Sequence, residues 1–420
     1  MTSQRQITQP TVLVVGGAHD SLPVLRALRD LGVRLVVADG SPAAPGFRLA
    51  DAGILAATFD PDSTVEAARA YASRTPIVGV IGTSRRLALA VASIGDALGL
   101  AALPIASARR MLDRLAVRET LDASGLRVPP ARAVASPNDV RAACQSYGAP
   151  LLVRPVDGWA ARGVVRVLAE IEPSWAFHVA STASPTGQAM VEPFVAGRAV
   201  SAVALVNGTC PVLLDVSERT REERFAPFVI DAGYQGPCDL RDEERAQIAA
   251  AVAAAVEALD LRNVLCTVEL VLTNDGALVV DVETGLTNGR RLVHAITLAA
   301  GIDPIAGALR VALGEALAPS ELTPRWQRPV AERSIFADPG VVIEVRDAEA
   351  VAATDGIALV DVYAVPGARV CPPTSNLCRG GVVLATGAST ADAGARARDA
   401  AARIQIVTEA APVTADPRTH

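Results

Sequence analysis

The stretch VELVLTNDGALVVDVETG (268–285) carries three carboxylates whose spacing invites a cation. Glu269 lies in its first apolar run. Asp281 and Glu283 lie in the second, two residues apart, so on a strand they project from one face. Three carboxylates on adjacent strands repel one another unless a positive charge joins them. Hard oxygen ligands of this kind suit Mg²⁺, which typically takes one or two carboxylates together with substrate phosphates. The alternative is a solvated sheet face, and the apolar character of both runs argues against it. A second stretch, LLVRPVDGWAARGVVRV (151–167), offers the opposite charge. Gly158 and Gly163 would let backbone amides approach a phosphate, and Arg154 sits on the run before them. Trp159 interrupts the loop, and taken alone the stretch reads as an ordinary hairpin.

The elements that must position these groups are legible from periodicity. Asn274-Asp275-Gly276 is a strong hairpin signal between the two carboxylate-bearing runs. TVLVVGG, a leucine-spaced helix and VRLVVADG make a βαβ unit of a parallel sheet, continued by a strand in 75–84 and a helix over 85–98. The pair Gly16-Gly17 lacks the full dinucleotide fingerprint and reads as a tight strand-to-helix turn, which weakens an NAD-dependent dehydrogenase reading. A helix is expected over 106–128, ending at Gly125 before Pro129-Pro130. Further helices are expected over 137–147, near 172–182 and over 241–260. Strands are expected at AMVEPFV and in a pair turning at Asn207-Gly208. Strands at GVVIEV, IALVDVYAV, GGVVLATG and IQIVTE, with a helix over 390–404, make a small last unit. The expected division is 1–105, 106–329 (a loop part about 130–190 and a hairpin part about 191–329) and 330–410. A disordered tail is expected over 411–420.

Totals narrow the class. At 420 residues, with half hydrophobic and 20% charged, the chain can bury several cores and is not globally disordered. The net charge of −6, with no basic block interleaved with aromatics, argues against a nucleic-acid partner. No uncharged apolar stretch is long enough to span a membrane, and MTSQRQITQP lacks the apolar region of a signal peptide. Six cysteines without a CxxC pair suit neither a zinc site nor a disulfide framework, so a reducing cytoplasm is expected. The chain contains no lysine; all 39 of its strong cations are arginine. Compositional bias is the favoured reading, ahead of selection against primary amines near a reactive metabolite.

The order of these parts resembles the ATP-grasp superfamily, and within it the carboxylate–amine ligases that include the L-amino-acid ligases. ARRMLDRLAVRETLDASGLRVPP (108–130) resembles the linker helix, 151–167 the strand–loop–strand over the nucleotide, and MVEPFVAGRAVS (190–201) the adenine hinge. VELVLTNDGALVVDVETG resembles the metal hairpin, AAGIDPIAGALRVALGE the helix after it, and RGGVVLATGASTADAGARARDA the extra domain of the amino-acid ligases. The resemblance implies a multidomain α/β and α+β protein. An N-terminal Rossmann-like parallel-sheet domain would precede the ATP-grasp fold, and a small C-terminal α+β domain would follow. It implies a ligase that uses ATP and Mg²⁺ to join a small carboxylic acid, an amino acid by analogy, to an amine through an acyl phosphate, in a homodimer.

The same resemblance assigns residues. Where the family has lysines, this chain has Arg114, after Asp113, and Arg154. Arg162-Gly163 keeps the family's loop, while Trp159, Ala160 and Ala161 replace small residues. Glu192 and Phe194 fit the hinge, and Ala199 stands in place of an acidic ribose contact. Glu269 matches the metal site, Asp281 shortens a glutamate, and Glu283 replaces an asparagine. Gly285 replaces an arginine, with Arg290 and Arg291 close by to serve catalysis. Asp231 and Tyr234, in the loop PFVIDAGY, stand where Glu and His lie near substrate. A second implied class is a degenerate ATP-grasp protein that no longer turns over ATP and binds a metabolite or partner, or catalyses another reaction; Trp159, Ala199 and Gly285 favour it.

Overall fold

The computed structural model describes residues 9–410, so the expected tail at 411–420 lies outside the described residues. Along the chain come β1 (Thr11–Val15), α1 (Leu22–Asp30), β2 (Arg34–Asp39), β3 (Ala52–Leu55), α2 (Pro61–Ala72), β4 (Gly79–Gly82) and α3 (Ala88–Leu98). Next are α4 (Ile105–Met111), α5 (Arg114–Ala123), β5 (Arg132–Val134), α6 (Pro137–Tyr147), β6 (Leu151–Pro155), β7 (Val165–Val167), α7 (Pro173–Ala183) and β8 (Ala189–Pro193). The long strands follow: β9 (Arg198–Asn207), β10 (Cys210–Arg221), β11 (Asp231–Gly236), then α8 (Asp242–Ala258), β12 (Val264–Thr273) and β13 (Gly276–Thr284). After α9 (Ile296–Ala300) and α10 (Pro304–Ala312) come β14 (Val330–Phe336), β15 (Gly340–Arg346), α11 (Ala348–Ala352) and β16 (Ile357–Val362). The last elements are β17 (Arg369–Val370), β18 (Arg379–Thr386), α12 (Thr390–Arg403) and β19 (Gln405–Glu409).

The described residues form two compact units, one of residues 9–130, 195–217 and 240–327, the other of 131–194, 218–239 and 328–410. In the first, β3-β2-β1-β4 form a parallel sheet whose strand β1 is buried throughout. Gly16 holds a left-handed φ of 100°, and a Cβ there would lie 2.3 Å from Thr83 Oγ1. Its neighbour Gly17 donates its amide to Asp39 Oδ2 at 2.7 Å. The glycine pair is therefore a packing turn, as its incomplete fingerprint implies. The same unit holds β13-β12-β9 and the first part of β10. Val12, Leu25 and Leu28 share one core with Leu205, Leu265, Ile305 and Leu309. Apolar burial thus ties the N-terminal sheet to the carboxylate hairpin, and the boundary drawn at 105 is not a break in packing.

In the second unit β5-β8-β6-β7 form a sheet covered by α6 and α7. Strands β11-β14-β18-β16 form another, against which α12 packs, and β17-β15-β19 a third. Two differences from the periodicity have local causes. The helix expected over 106–128 is broken at Asp113, whose Oδ1 accepts the amides of Leu115 at 2.8 Å and Ala116 at 3.1 Å and so starts a new helix. The segment around Asp231, expected as a loop, is strand β11, paired on both edges. Its two glycines hide it from strand propensity.

Candidate active site

The carboxylates gather on one face of the first unit. In the β12–β13 pair Glu269 lies opposite Asp281 and Thr267 opposite Glu283. On the other side of β12, Ser201 of β9 lies opposite Glu269 and donates to its Oε1 at 2.9 Å. Arg291, 3% exposed, donates to Ser201 Oγ at 2.8 Å and to Asp215 Oδ2 at 2.5 Å. Arg114, the first residue of α5, donates from Nε to Asp281 Oδ2 at 3.0 Å, and its Nη2 lies 3.8 Å from Glu283 Oε1. Arg85 Nη1 lies 3.9 Å from Asp281 Oδ1. Arg290 instead reaches Asp20, at 3.8 Å, on the edge of the N-terminal sheet's first helix. Gly285 has φ 93°, and a Cβ there would meet the backbone oxygen of Gly82 at 3.1 Å. The close backbone approach leaves little room for a side chain, consistent with the glycine at this position.

The three carboxylates have the right chemistry for a divalent cation, but they are already engaged. Among the described residues no group of three His, Cys, Asp or Glu side chains is arranged to hold a metal ion. The charge of Asp281 and Glu283 is met by Arg114 and Arg85, and Glu269 by a serine hydroxyl. As arranged, the residues do not fit a resident cation.

The second unit carries the arginine–glycine loop. Strand β6 pairs antiparallel with β7 and with β8. Arg154, 9% exposed, donates from Nη1 to Glu192 Oε1 at 3.1 Å, and Glu192 is 2% exposed. The loop between β6 and β7 is built by backbone geometry. Gly163 has φ 70°, and a Cβ there would lie 2.5 Å from that of Ala183. Ala160 and Ala161 also hold left-handed φ, 51° and 57°, which is costly for residues with a side chain. The loop is held down by Asp157, which accepts from Ser184 Oγ at 2.6 Å and Thr186 N at 3.0 Å, and by Ala160 O, which accepts from Asn376 N at 2.8 Å. The Trp159 ring lies under the guanidinium of Arg162, 4.5 Å from the ring centre. Phe194 is flanked by Arg166 at 5.3 Å and Arg221 at 5.0 Å. Burial pushes the Arg221 pKa down, and neighbouring Arg219 adds to the effect.

Asp231 anchors a further polar group of this unit. It exchanges hydrogen bonds with Asn376, whose Nδ2 donates to Oδ2 at 2.8 Å and whose Oδ1 accepts the Asp231 amide at 2.9 Å. Arg379 lies at 3.5 Å and Arg219 at 3.8 Å. Burial disfavours the charge on Arg379, and Asp231, Tyr234, Tyr363 and Glu332 together outweigh it, leaving the pKa raised. Sequence reasoning placed Glu269, Asp281 and Glu283 together, and the structure brings them together. Sequence reasoning paired neither Arg154 with Glu192 nor Arg114 with Asp281, both of which the structure joins. Arg85, Ser201, Asp215, Arg219, Asn376 and Arg379 were not singled out, because their partners lie elsewhere in the sequence and spacing alone does not reveal the contacts.

Comparisons with known proteins bear on these two sets of residues. Residues 111–289 match the family described as "ATP-grasp domain", and residues 333–409 match "L-amino acid ligase C-terminal domain 2". A formate-dependent phosphoribosylglycinamide formyltransferase of Burkholderia thailandensis is 30% identical over 190 residues, 44% of this chain and 46% of that protein. The chain thus spans about half the length of that relative. The enzyme of the same name from Burkholderia pseudomallei (strain 668) is 28% identical over 94% of this chain and 95% of its own. Among solved structures, an L-amino acid ligase from Bacillus licheniformis superposes with a TM-score of 0.80 at 21% identity, covering 96% of this chain and 99% of that one. An N5-carboxyaminoimidazole ribonucleotide synthetase, solved as its ADP complex, superposes with a TM-score of 0.73 at 17% identity, covering 93% and 97%. These likenesses establish the ATP-grasp fold, with a parallel sheet at the N-terminus and a small C-terminal domain.

Proposed function

We propose that this chain, which carries an ATP-grasp domain and an L-amino acid ligase C-terminal domain, is a carboxylate–amine ligase that uses ATP to join a small carboxylic acid, an amino acid in the simplest case, to an amine. A carboxylate oxygen attacks the terminal phosphorus of ATP and ADP leaves. The amine nitrogen then attacks the acyl carbon, phosphate leaves with the C–O bonding pair, and the nitrogen gives up a proton. A free carboxylate is a poor electrophile, and phosphorylation supplies the leaving group it lacks. In this reading Arg154 and Arg114 meet nucleotide phosphates with planar forks. Arg162, Gly163 and Trp159 cover the nucleotide, and Glu192 and Phe194 form the hinge for adenine. Arg291 and Arg290 stabilise the transferring group, and Asp231 positions the amine. Glu269, Asp281 and Glu283 set the field around the phosphates. Assembly as a homodimer and a cytoplasmic setting complete the proposal.

The observation that carries it is the gathering of three carboxylates on one largely buried sheet face, with guanidiniums directed at them. A sheet face with only a structural role has no need of such costly groups. Isothermal calorimetry with ATP and ADP, followed by ADP release across mixtures of amino acids, tests it. Absence of nucleotide binding at millimolar concentration overturns the ligase reading. The second reading, a binding protein that no longer turns over ATP, is favoured by the guanidiniums already paired with Asp281. ATP binding with no ADP release against any acid and amine pair would support it instead.

A further inference from the structure

The Asp281–Glu283 pair is neutralised from within the first unit. Asp281 takes a 3.0 Å hydrogen bond from Arg114 Nε and has Arg85 Nη1 at 3.9 Å. Glu283 has the other end of the same Arg114 fork at 3.8 Å. Arg114 and Asp281 are largely shielded, with side chains 10% and 15% exposed, so solvent screens their pairing less than at the surface. A guanidinium spans two carboxylates because its nitrogens are rigidly spread; a compact ammonium is a point charge and does not. The position of Arg114 is itself informative. As the first residue of α5 it sits at the positive end of a helix dipole, where a cation is disfavoured. Asp113 caps that helix end through Leu115 and Ala116, which fixes the backbone from which Arg114 departs. A cation retained against the dipole must gain its stabilisation elsewhere, and the two carboxylates supply it.

We propose that the Arg114 guanidinium is the built-in counter-ion of Asp281 and Glu283 and keeps a divalent cation off these carboxylates in the nucleotide-free protein. A cation entering there must meet Arg114 at close range and strip it of its partners.

Titration of the nucleotide-free full chain with Mn²⁺, followed by the loss of its free-ion electron paramagnetic resonance signal, tests this directly. The wild type is expected to show no saturable site up to millimolar Mn²⁺. Arg114→Gln is expected to gain one site at least ~10-fold tighter, the range by which groups around metal ligands shift affinity. Adding Asp281→Asn to that variant should remove the gained site, which places it on these carboxylates. Arg114→Lys keeps the charge while losing the fork, and is expected to gain a weaker version of the same site. It serves if Arg114→Gln does not fold, as judged by near-ultraviolet circular dichroism. A wild-type site as tight as that of the variants overturns the proposal, as does a folded variant that gains none. Neither readout requires turnover, so failure of the ligase reading would leave this test intact.

Discussion

At the residue scale, the pairing of Arg154 with Glu192 is the most consequential contact of the arginine–glycine loop. Both side chains are nearly sealed from solvent, at 9% and 2% exposure. Truncating one partner of such a pair leaves a buried charge uncompensated, which costs about 3–5 kcal/mol. Arg154→Ala should therefore lower the unfolding free energy by about 3 kcal/mol, measured by urea denaturation. The double variant Arg154→Met with Glu192→Leu should recover most of that loss, because two apolar side chains leave no stranded charge. A double variant as unstable as the single one would show that the pair's contribution is not electrostatic. The sequence named both residues and assigned them separately, Arg154 to phosphate and Glu192 to the hinge. It could not show that they meet, because Leu152, not Arg154, is the residue opposite Glu192 in register.

At the element scale, short polar side chains at helix starts place several of the site residues. Asp113 is legible in sequence as an acid before a helical run, yet an uninterrupted helix over 106–128 fits the apolar spacing equally well. Two amides accepted by one carboxylate decide the matter in favour of a break. Asp113→Ala should cost about 1 kcal/mol, as loss of an N-cap does, and should loosen Arg114. The same denaturation measurement checks the first part. Asp139 closes a reciprocal cap on α6, accepting the amides of Ala135 at 2.9 Å and Ser136 at 2.8 Å. The Ala135 amide and then the Ser136 hydroxyl hold its pKa below the usual value. A carboxyl depressed in the folded state adds stability that is present above its unfolded pKa, near 3.9, and lost as pH falls through the folded value. Asp139→Asn should therefore flatten the acid limb of stability against pH and leave the region above pH ~5 parallel to wild type. An unchanged acid limb would remove Asp139 from the account. Strand β11 shows the opposite limit of legibility. Its backbone pairing on both edges, not its side-chain pattern, makes it a strand, and a single sequence carries no sign of that pairing.

At the scale of the whole molecule, the alternation of strands and helices revealed the fold class, while the compact units did not follow the sequence boundaries. Burial decides them, and the residues that share a core come from distant parts of the chain. Among the described residues the first unit has an extensive apolar core and a second one on the other face of its parallel sheet. The second unit divides its apolar residues among smaller clusters, one of them built mainly of alanine. Buried apolar area sets resistance to denaturant, so the second unit should open first. Two cysteines report on this. Cys266, in the first unit, is fully buried, and burial pushes its thiol up to about 12. Cys378, in the second, is 3% exposed and its pKa is also raised, chiefly by burial. The thiolate is the reactive form, so neither should react at pH ~8 while its unit is folded, whereas Cys210 and Cys371 are exposed and should. Pulse alkylation along a urea gradient, read by mass spectrometry, should label Cys378 at lower urea than Cys266. Coincident labelling curves would show one cooperative transition and overturn the ordering. A linked pH effect follows for Cys266. Its folded pKa lies above the unfolded value near 8.5, so the unfolded chain loses the proton first. Its contribution is complete below pH ~8.5 and is lost as pH rises toward the folded value. Cys266→Ala should lessen the alkaline decline of first-unit stability, and an unchanged decline would assign that loss to other groups.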